Sequence, residues 1–151
     1  MNPADLYHTG IVVEDVDAAR VRLTEIAGYR WGPTVGGDTP VVTADGEATL
    51  AMRIAYSADE PRLELVQAIP GTIWVPTGAG VHHLGYWSDD VDADVARLVE
   101  RGLALEAKAP SPDGSSMWAY CNGGGDAGPR IELVSRSLQP LLEQLFLPGE
   151  G

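Results

Sequence analysis

The sequence is short of cysteine, of basic residues and of long apolar runs, and each shortage excludes something. Cys121 is the single cysteine, so no intramolecular disulfide can form, which accords with a reducing cytosol. Its default role is that of a buried, inert thiol. No stretch approaches the roughly 18 apolar residues that a membrane span requires. The opening MNPADLYHTG has neither the positive n-region nor the apolar h-region of a secretion signal. These features predict a soluble cytoplasmic protein without a membrane partner. Ten basic residues face 22 acidic ones, for a formal net charge of -12. That balance removes the bulk attraction that draws proteins to phosphate backbones, so no nucleic-acid partner is expected.

What is present is an ordinary globular composition. The chain has 151 residues, 44% hydrophobic and 21% charged, which is enough for one compact domain or for two half-sized units that share a core. A single domain spanning 1–151 is expected.

The strongest signal is internal repetition. Setting His8 against His83 also matches Gly10 with Gly85, and Asp15, Val16, Asp17 and Ala18 with Asp90, Val91, Asp92 and Ala93. Leu23 and Glu25 then fall on Leu98 and Glu100. Further along, PRLELV (Pro61 to Val66) matches PRIELV (Pro129 to Val134) in the same order. Repetition of two segments in one order constrains architecture more tightly than any single motif.

Each half opens with a strand, about 7–13 and 81–87, that runs into Asp-rich helix-start chemistry. In the second helix Val91, Val95 and Leu98 form an apolar stripe, Arg97, Glu100 and Arg101 lie off it, and Gly102 offers a stop, as Gly28 does in the first half. Strand candidates follow at about 49–56 and 62–67, then at 103–107, 116–121 and 130–135. Gly36-Gly37, Asp45-Gly46, Asp113-Gly114 and Gly123 to Gly125 supply turns. The reading is α+β: two tandem βαβββ modules, about 5–69 and 81–136, joined by the Pro- and Gly-rich stretch Pro70 to Gly80. A tail, 137–147, places Leu138, Leu141, Leu142 and Leu145 at helical spacing with Pro140 near its first turn. It is expected to pack on the body or to form a subunit contact in a homodimer.

Alternation along a strand puts Arg62, Glu64 and Val66 on one face and Leu63 and Leu65 on the other, and Arg130, Glu132 and Val134 repeat this against Ile131 and Leu133. The leucines and isoleucine belong under the helices, which leaves one carboxylate per half on the inner face. A buried carboxylate is unfavourable unless paired or bound to a metal. His8 (with Gly10 and Val12) and His83 (with Gly85 and Trp87) can share that face. Two imidazoles and two carboxylates then converge by pseudo-twofold symmetry on one divalent ion, with Zn, Ni, Co, Mn or Fe(II) all compatible. His82, adjacent to His83, is the alternative ligand.

The segments YHTGIVVEDVDAA, GVHHLGYWSDDVDA, PRLELVQ and PRIELVS resemble the vicinal oxygen chelate superfamily, which includes glyoxalase I, methylmalonyl-CoA epimerase, extradiol dioxygenases and the fosfomycin and bleomycin resistance proteins. The resemblance covers nearly the whole chain and implies a cupped mixed sheet around a metal, with His8, Glu64, His83 and Glu132 at the four ligand positions. Four ligands resemble the glyoxalase I and epimerase branches more than the branches that use three. The resemblance therefore implies a metal-dependent lyase, isomerase or epimerase acting on a small carbonyl or hydroxy-carbonyl compound through a metal-stabilised enolate, with Glu132 or Glu64 moving the proton. Glu47 is a further candidate base by analogy with epimerases, or a solvated turn residue. Alternatives are a metal-free protein that sequesters its ligand and an Fe(II) extradiol-type dioxygenase.

Three features depart from the family's pattern. The loop CNGGGDAGPRIEL replaces a DPDG-like turn, the first helix lacks the aromatic pair of glyoxalases, and no cluster of basic residues stands ready for glutathione carboxylates or CoA phosphates. Trp87, on the face of His83 by parity, and Trp74, in the joint, are the candidate substrate contacts. Trp31, Trp118 and Tyr120 are weaker candidates. Arg62 and Arg130 are expected either to bind a substrate carboxylate or to pair with acidic neighbours.

Overall fold

The computed structural model describes residues 1–78, 80–124 and 128–149. Ala79 of the joint, and Gly125, Asp126 and Ala127 of the predicted glycine turn and the CNGGGDAGPRIEL loop, lie outside the described residues. Both halves have the predicted βαβββ order. The first comprises β1 (Leu6–Val13), α1 (Val16–Ala27), β2 (Val35–Thr43), β3 (Gly46–Tyr56) and β4 (Leu63–Gln67). The second comprises β5 (His83–Ser88), α2 (Val91–Glu100), β6 (Ala104–Pro110), β7 (Ser116–Asn122) and β8 (Arg130–Ser135).

The repeated aspartates are helix caps. Asp15 accepts a hydrogen bond from the Ala18 N–H at 3.0 Å and Asp90 one from Ala93 at 2.9 Å, satisfying donors that an α-helix leaves unpaired in its first turn. Gly28 ends α1 in the left-handed conformation, with φ of 76°.

The sheet goes beyond a cup. Its strands run β1-β4-β3-β2-β6-β7-β8-β5 and close into a barrel. β1 and β4 are parallel, as are β5 and β8, and every other neighbouring pair is antiparallel. The two halves meet at two seams. One is the β1–β5 pairing, in register His8↔Gly85 and Gly10↔His83; the other is β2–β6, which pairs only Val42↔Lys108 and Thr43↔Ala107. The helices lie outside, as alternation predicts. Val16, Ala19 and Leu23 of α1 pack on Leu63 and Leu65, while Val91 and Leu98 of α2 pack on Leu133 and Cys121. Burial pushes the Cys121 thiol up to about 11, so it is protonated at neutral pH.

β2 is the strand of the first module for which the sequence pattern gives no range, and the assignment of Gly36-Gly37 to a turn is corrected. Gly36 instead runs inside the strand, where an added Cβ would stand 2.0 Å from the carbonyl oxygen of Met52. The glycine permits a close backbone approach rather than a reversal. The tail is the second correction. It is broken into a 3-10 turn (Arg136–Leu138), a single α-helical turn, α3 (Gln139–Leu142), and a second 3-10 turn (Glu143–Phe146). None of the three has a side-chain cap, and so short a segment cannot sustain a helix by propensity alone.

Candidate metal centre

His8 and Gly10 face the interior from β1, and His83 and Gly85 from β5, because these strands run antiparallel with each histidine opposite the other strand's glycine. The parallel partners β4 and β8 bring Glu64 beside Gly10 and Glu132 beside Gly85. All four side chains are buried. The two Nε2 atoms are 3.0 Å apart; His83 Nε2 lies 2.9 Å from Glu64 Oε2 and 3.2 Å from Glu132 Oε2, and His8 Nε2 lies 3.4 and 3.0 Å from the same oxygens.

The donor set fits a divalent ion. One ligand atom from each residue falls in a group within 4.8 Å, and bonds of about 2.1 Å to a common centre would separate neighbouring ligand atoms by roughly 3.0 Å in octahedral or 3.4 Å in tetrahedral geometry, the range observed. Two carboxylates buried side by side also demand positive charge. The imidazoles supply it as protons when no ion is bound. Burial alone would push His8 down, but the charges and hydrogen bonds of Glu64 and Glu132 outweigh it and raise the ring to about 9. The same balance raises His83. Burial disfavours the charged carboxylates, yet the imidazoles hold Glu64 and Glu132 below the usual carboxylate range.

The imidazoles are held differently. His82 is not in β5, so strand alternation does not bind it, and its buried ring lies edge-on to His83 with the two Nδ1 atoms 2.9 Å apart. His82 Nε2 lies 2.8 Å from the carbonyl of Ile73, which can only accept. Burial lowers His82 to about 4, so the ring is neutral. Its proton therefore sits on Nε2, its Nδ1 accepts, and His83 must donate from Nδ1. With an ion in place and the ring neutral, that would leave the His83 Nε2 lone pair for the centre of the quartet; without one, Nε2 is protonated and donates to Glu64 Oε2 at 2.9 Å. The Nδ1 of His8 has no such partner.

The carboxylates form the polar floor of a cavity of about 280 Å³. Three tyrosines, Tyr7, Tyr56 and Tyr120, line it beside them, and Tyr56↔Glu64 and Tyr120↔Glu132 are cross-strand pairs in equivalent positions of the two halves. Burial pushes all three phenols up, and the nearby carboxylate charges add to the effect, so they are protonated donors. Met52, Ile54, Val66, Met117, Trp118 and Val134 form the walls, and Leu138, Leu141 and Leu142 of the tail close over them.

Trp74 and Trp87 are not among the lining residues. Trp74 is fully buried and packs edge-on against Trp118 and Tyr120, while Trp87 stacks on Tyr7 at 3.8 Å, so each braces a wall from behind. Trp118 and Tyr120 are the aromatics that reach the cavity, and Trp31 belongs to the core under α1. Glu47 is exposed at the start of β3, beside a separate depression with Pro40 and Pro110. Both arginines pair with acids, Arg62 with Glu60 at 2.7 Å and Arg130 with Glu106 at 2.5 Å. No helix among the described residues is long and apolar enough to cross a membrane.

Comparison with solved structures places this fold beside methylmalonyl-CoA epimerases. A Streptomyces coelicolor epimerase variant in complex with 2-nitronate-propionyl-CoA is 20% identical, with a TM-score of 0.57 over 87% of this chain and 96% of that one. The Mycobacterium tuberculosis epimerase is 19% identical, with a TM-score of 0.57 over 91% of each chain. No curated protein matches the sequence. Residues 7–121, which include His8, Glu64 and His83, match the family model described as Glyoxalase/Bleomycin resistance protein/Dioxygenase superfamily, and the chain belongs to that superfamily.

Proposed function

We propose that the protein is a metal-dependent lyase, isomerase or epimerase that removes a proton from the carbon beside a carbonyl of a small carbonyl or hydroxy-carbonyl compound. The observation that carries this reading is the buried quartet of His8, Glu64, His83 and Glu132 at the floor of a substrate-sized cavity. The four residues would hold one divalent ion, which supplies positive charge where the substrate oxygens become anionic. Glu132 or Glu64, which both border the cavity within reach of the two imidazoles, would carry the proton. The hydroxyls of Tyr56 and Tyr120 lie beside the carboxylates and are available to orient substrate oxygens.

The test is proton exchange. Pools of small carbonyl and hydroxy-carbonyl compounds, incubated with metal-loaded protein in deuterium oxide, should show a compound whose α-proton exchanges above the uncatalysed rate by NMR. Metal-stripped protein and His83→Ala should not exchange it. Tight binding of a ligand by metal-free protein, with the ligand recovered unexchanged, would instead identify a sequestering protein. Elemental analysis should find about one divalent ion per chain; its absence after reconstitution overturns the proposal.

A further inference from the structure

The cavity is wholly without cationic side chains. Its polar groups are the carboxylates of Glu64 and Glu132, the tyrosine hydroxyls and Thr39; everything else that lines it is apolar or glycine. Outside the lining, Arg62 lies 3.9 Å over the ring of Phe146, which packs on Tyr56, and its guanidinium is held by Glu60 at 2.7 Å. Of the ten basic residues, eight are engaged in ion pairs: Arg20, Arg30, Arg53, Arg62, Arg97, Lys108, Arg130 and Arg136. Among the described residues the two others, Arg22 and Arg101, are exposed on α1 and at the end of α2, outside the barrel. A thioester of a phosphorylated or peptidic carrier brings several negative charges, which need basic partners at or near the mouth. Here the exposed lining side chain is Leu141, on a protein of net charge -12.

The shape of the walls points the same way. Trp118 and Tyr120 meet edge-on at 5.4 Å, and Met52 and Met117 place polarisable sulfur on the same lining, a surface that suits the face and edge of an aromatic ring. A cavity of about 280 Å³ is larger than the roughly 150 Å³ that accepts a benzene molecule, leaving room for a substituted ring with an oxygen-bearing side chain. Leu138, Leu141 and Leu142 close over that body, with Leu141 still 65% exposed at the lip. Resting on the reading of the quartet as a metal site, we infer that the substrate is an uncharged compound with an apolar, ring-sized body, held whole in the cavity with its neighbouring oxygens toward the quartet. This differs from the CoA thioesters named for the structural neighbours.

The experiment has two arms. In the first, Zn2+ is titrated calorimetrically into chelator-treated wild type and into His8→Ala/His83→Ala, which decides the metal reading alone. In the second, Zn-loaded protein is titrated with phenacyl alcohol, with the same compound carrying a para-carboxylate, and with methylmalonyl-CoA, following tryptophan fluorescence and heat. Phenacyl alcohol should quench saturably, and Trp118→Phe should remove that response while leaving Zn2+ binding intact. The para-carboxylate should bind at least about tenfold more weakly, because the walls hold no counter-charge. Methylmalonyl-CoA should give no saturable response. If methylmalonyl-CoA or the para-carboxylate binds as tightly as phenacyl alcohol, or if phenacyl alcohol gives no Trp118-dependent response, the inference is overturned. If Zn2+ fails to bind but the Trp118-dependent preference for the neutral compound persists, the metal reading falls and the ligand class stands.

Discussion

Gly10 and His83 compete for one volume: a Cβ on Gly10 would lie 1.9 Å from the imidazole, and the same relation, at 2.0 Å, holds between Gly85 and His8. Each half thus keeps a vacancy for the other half's ligand. Gly10→Ala should force the His83 ring out of the quartet and lower metal affinity by more than the roughly 10- to 100-fold typical of losing a supporting contact. Overpacking should also destabilise the fold by about 1–3 kcal/mol. Gly85→Ala should act on His8 in the same way. Metal titration with thermal unfolding checks both; wild-type affinity in either variant contradicts the geometry.

His82 should matter to metal binding without being a ligand. His82→Phe keeps a ring in the buried site but removes the acceptor that directs the His83 proton to Nδ1, so metal affinity should fall about 10- to 100-fold with the stoichiometry unchanged. In wild type, the nitrogen chemical shifts of the histidine rings should report the Nε2–H tautomer for His82. A neutral His82 protonated on Nδ1 would break the argument.

Glu64→Gln and Glu132→Gln should both weaken metal binding, but unequally in catalysis. At saturating metal, loss of the proton-carrying carboxylate should slow α-proton exchange by about 10²-fold or more, the scale of a lost general base, and loss of the other by less, so the larger loss identifies the carrier. The measurement is the exchange rate by NMR on the first compound found to exchange. Equal slowing in the two variants would mean that neither carboxylate carries the proton alone.

The metal-free protein should show a pH dependence set by its imidazoles. His8 is raised from 6.5 to about 9 in the folded chain, so the stabilisation it gives is complete below pH 6.5 and is lost as pH rises through about 9. Tm of chelator-treated protein should fall across that window, and bound metal should flatten the fall. Because a metal takes deprotonated imidazoles, uptake near neutral pH should release protons, and affinity should increase up to about pH 9. Calorimetry in two buffers of different ionisation heat counts those protons; zero release would mean that the rings are neutral before the metal arrives.

The quartet and the caps were readable from sequence because each is written twice, in local segments with strand or helix periodicity. β2 was not. Gly36, Gly37 and Pro40 lower strand propensity, and the pairing that stabilises them comes from β3 and β6, which are distant or invisible in a local window. The cavity walls were hidden for another reason. Met52, Ile54, Trp118 and Leu142 come from three separate elements, and an apolar wall residue looks like core until the fold leaves space in front of it. Trp87 keeps the parity of His83, but Tyr7, which stacks on it and lies within a register shift between Leu6 and His8, is the aromatic that lines the cavity on that side.

The β1–β5 seam has an implication for ancestry. An isologous pairing of two half-length chains, each offering its first strand antiparallel to its copy, would generate four ligands from one imidazole and one carboxylate per chain. Such a pair would be obligately symmetric, with identical histidines and identical glutamates. Fusing the copies into one polypeptide releases that constraint. In this protein the two halves differ beside the ligands: His83 has an imidazole neighbour in His82, and the equivalent position beside His8 is Tyr7.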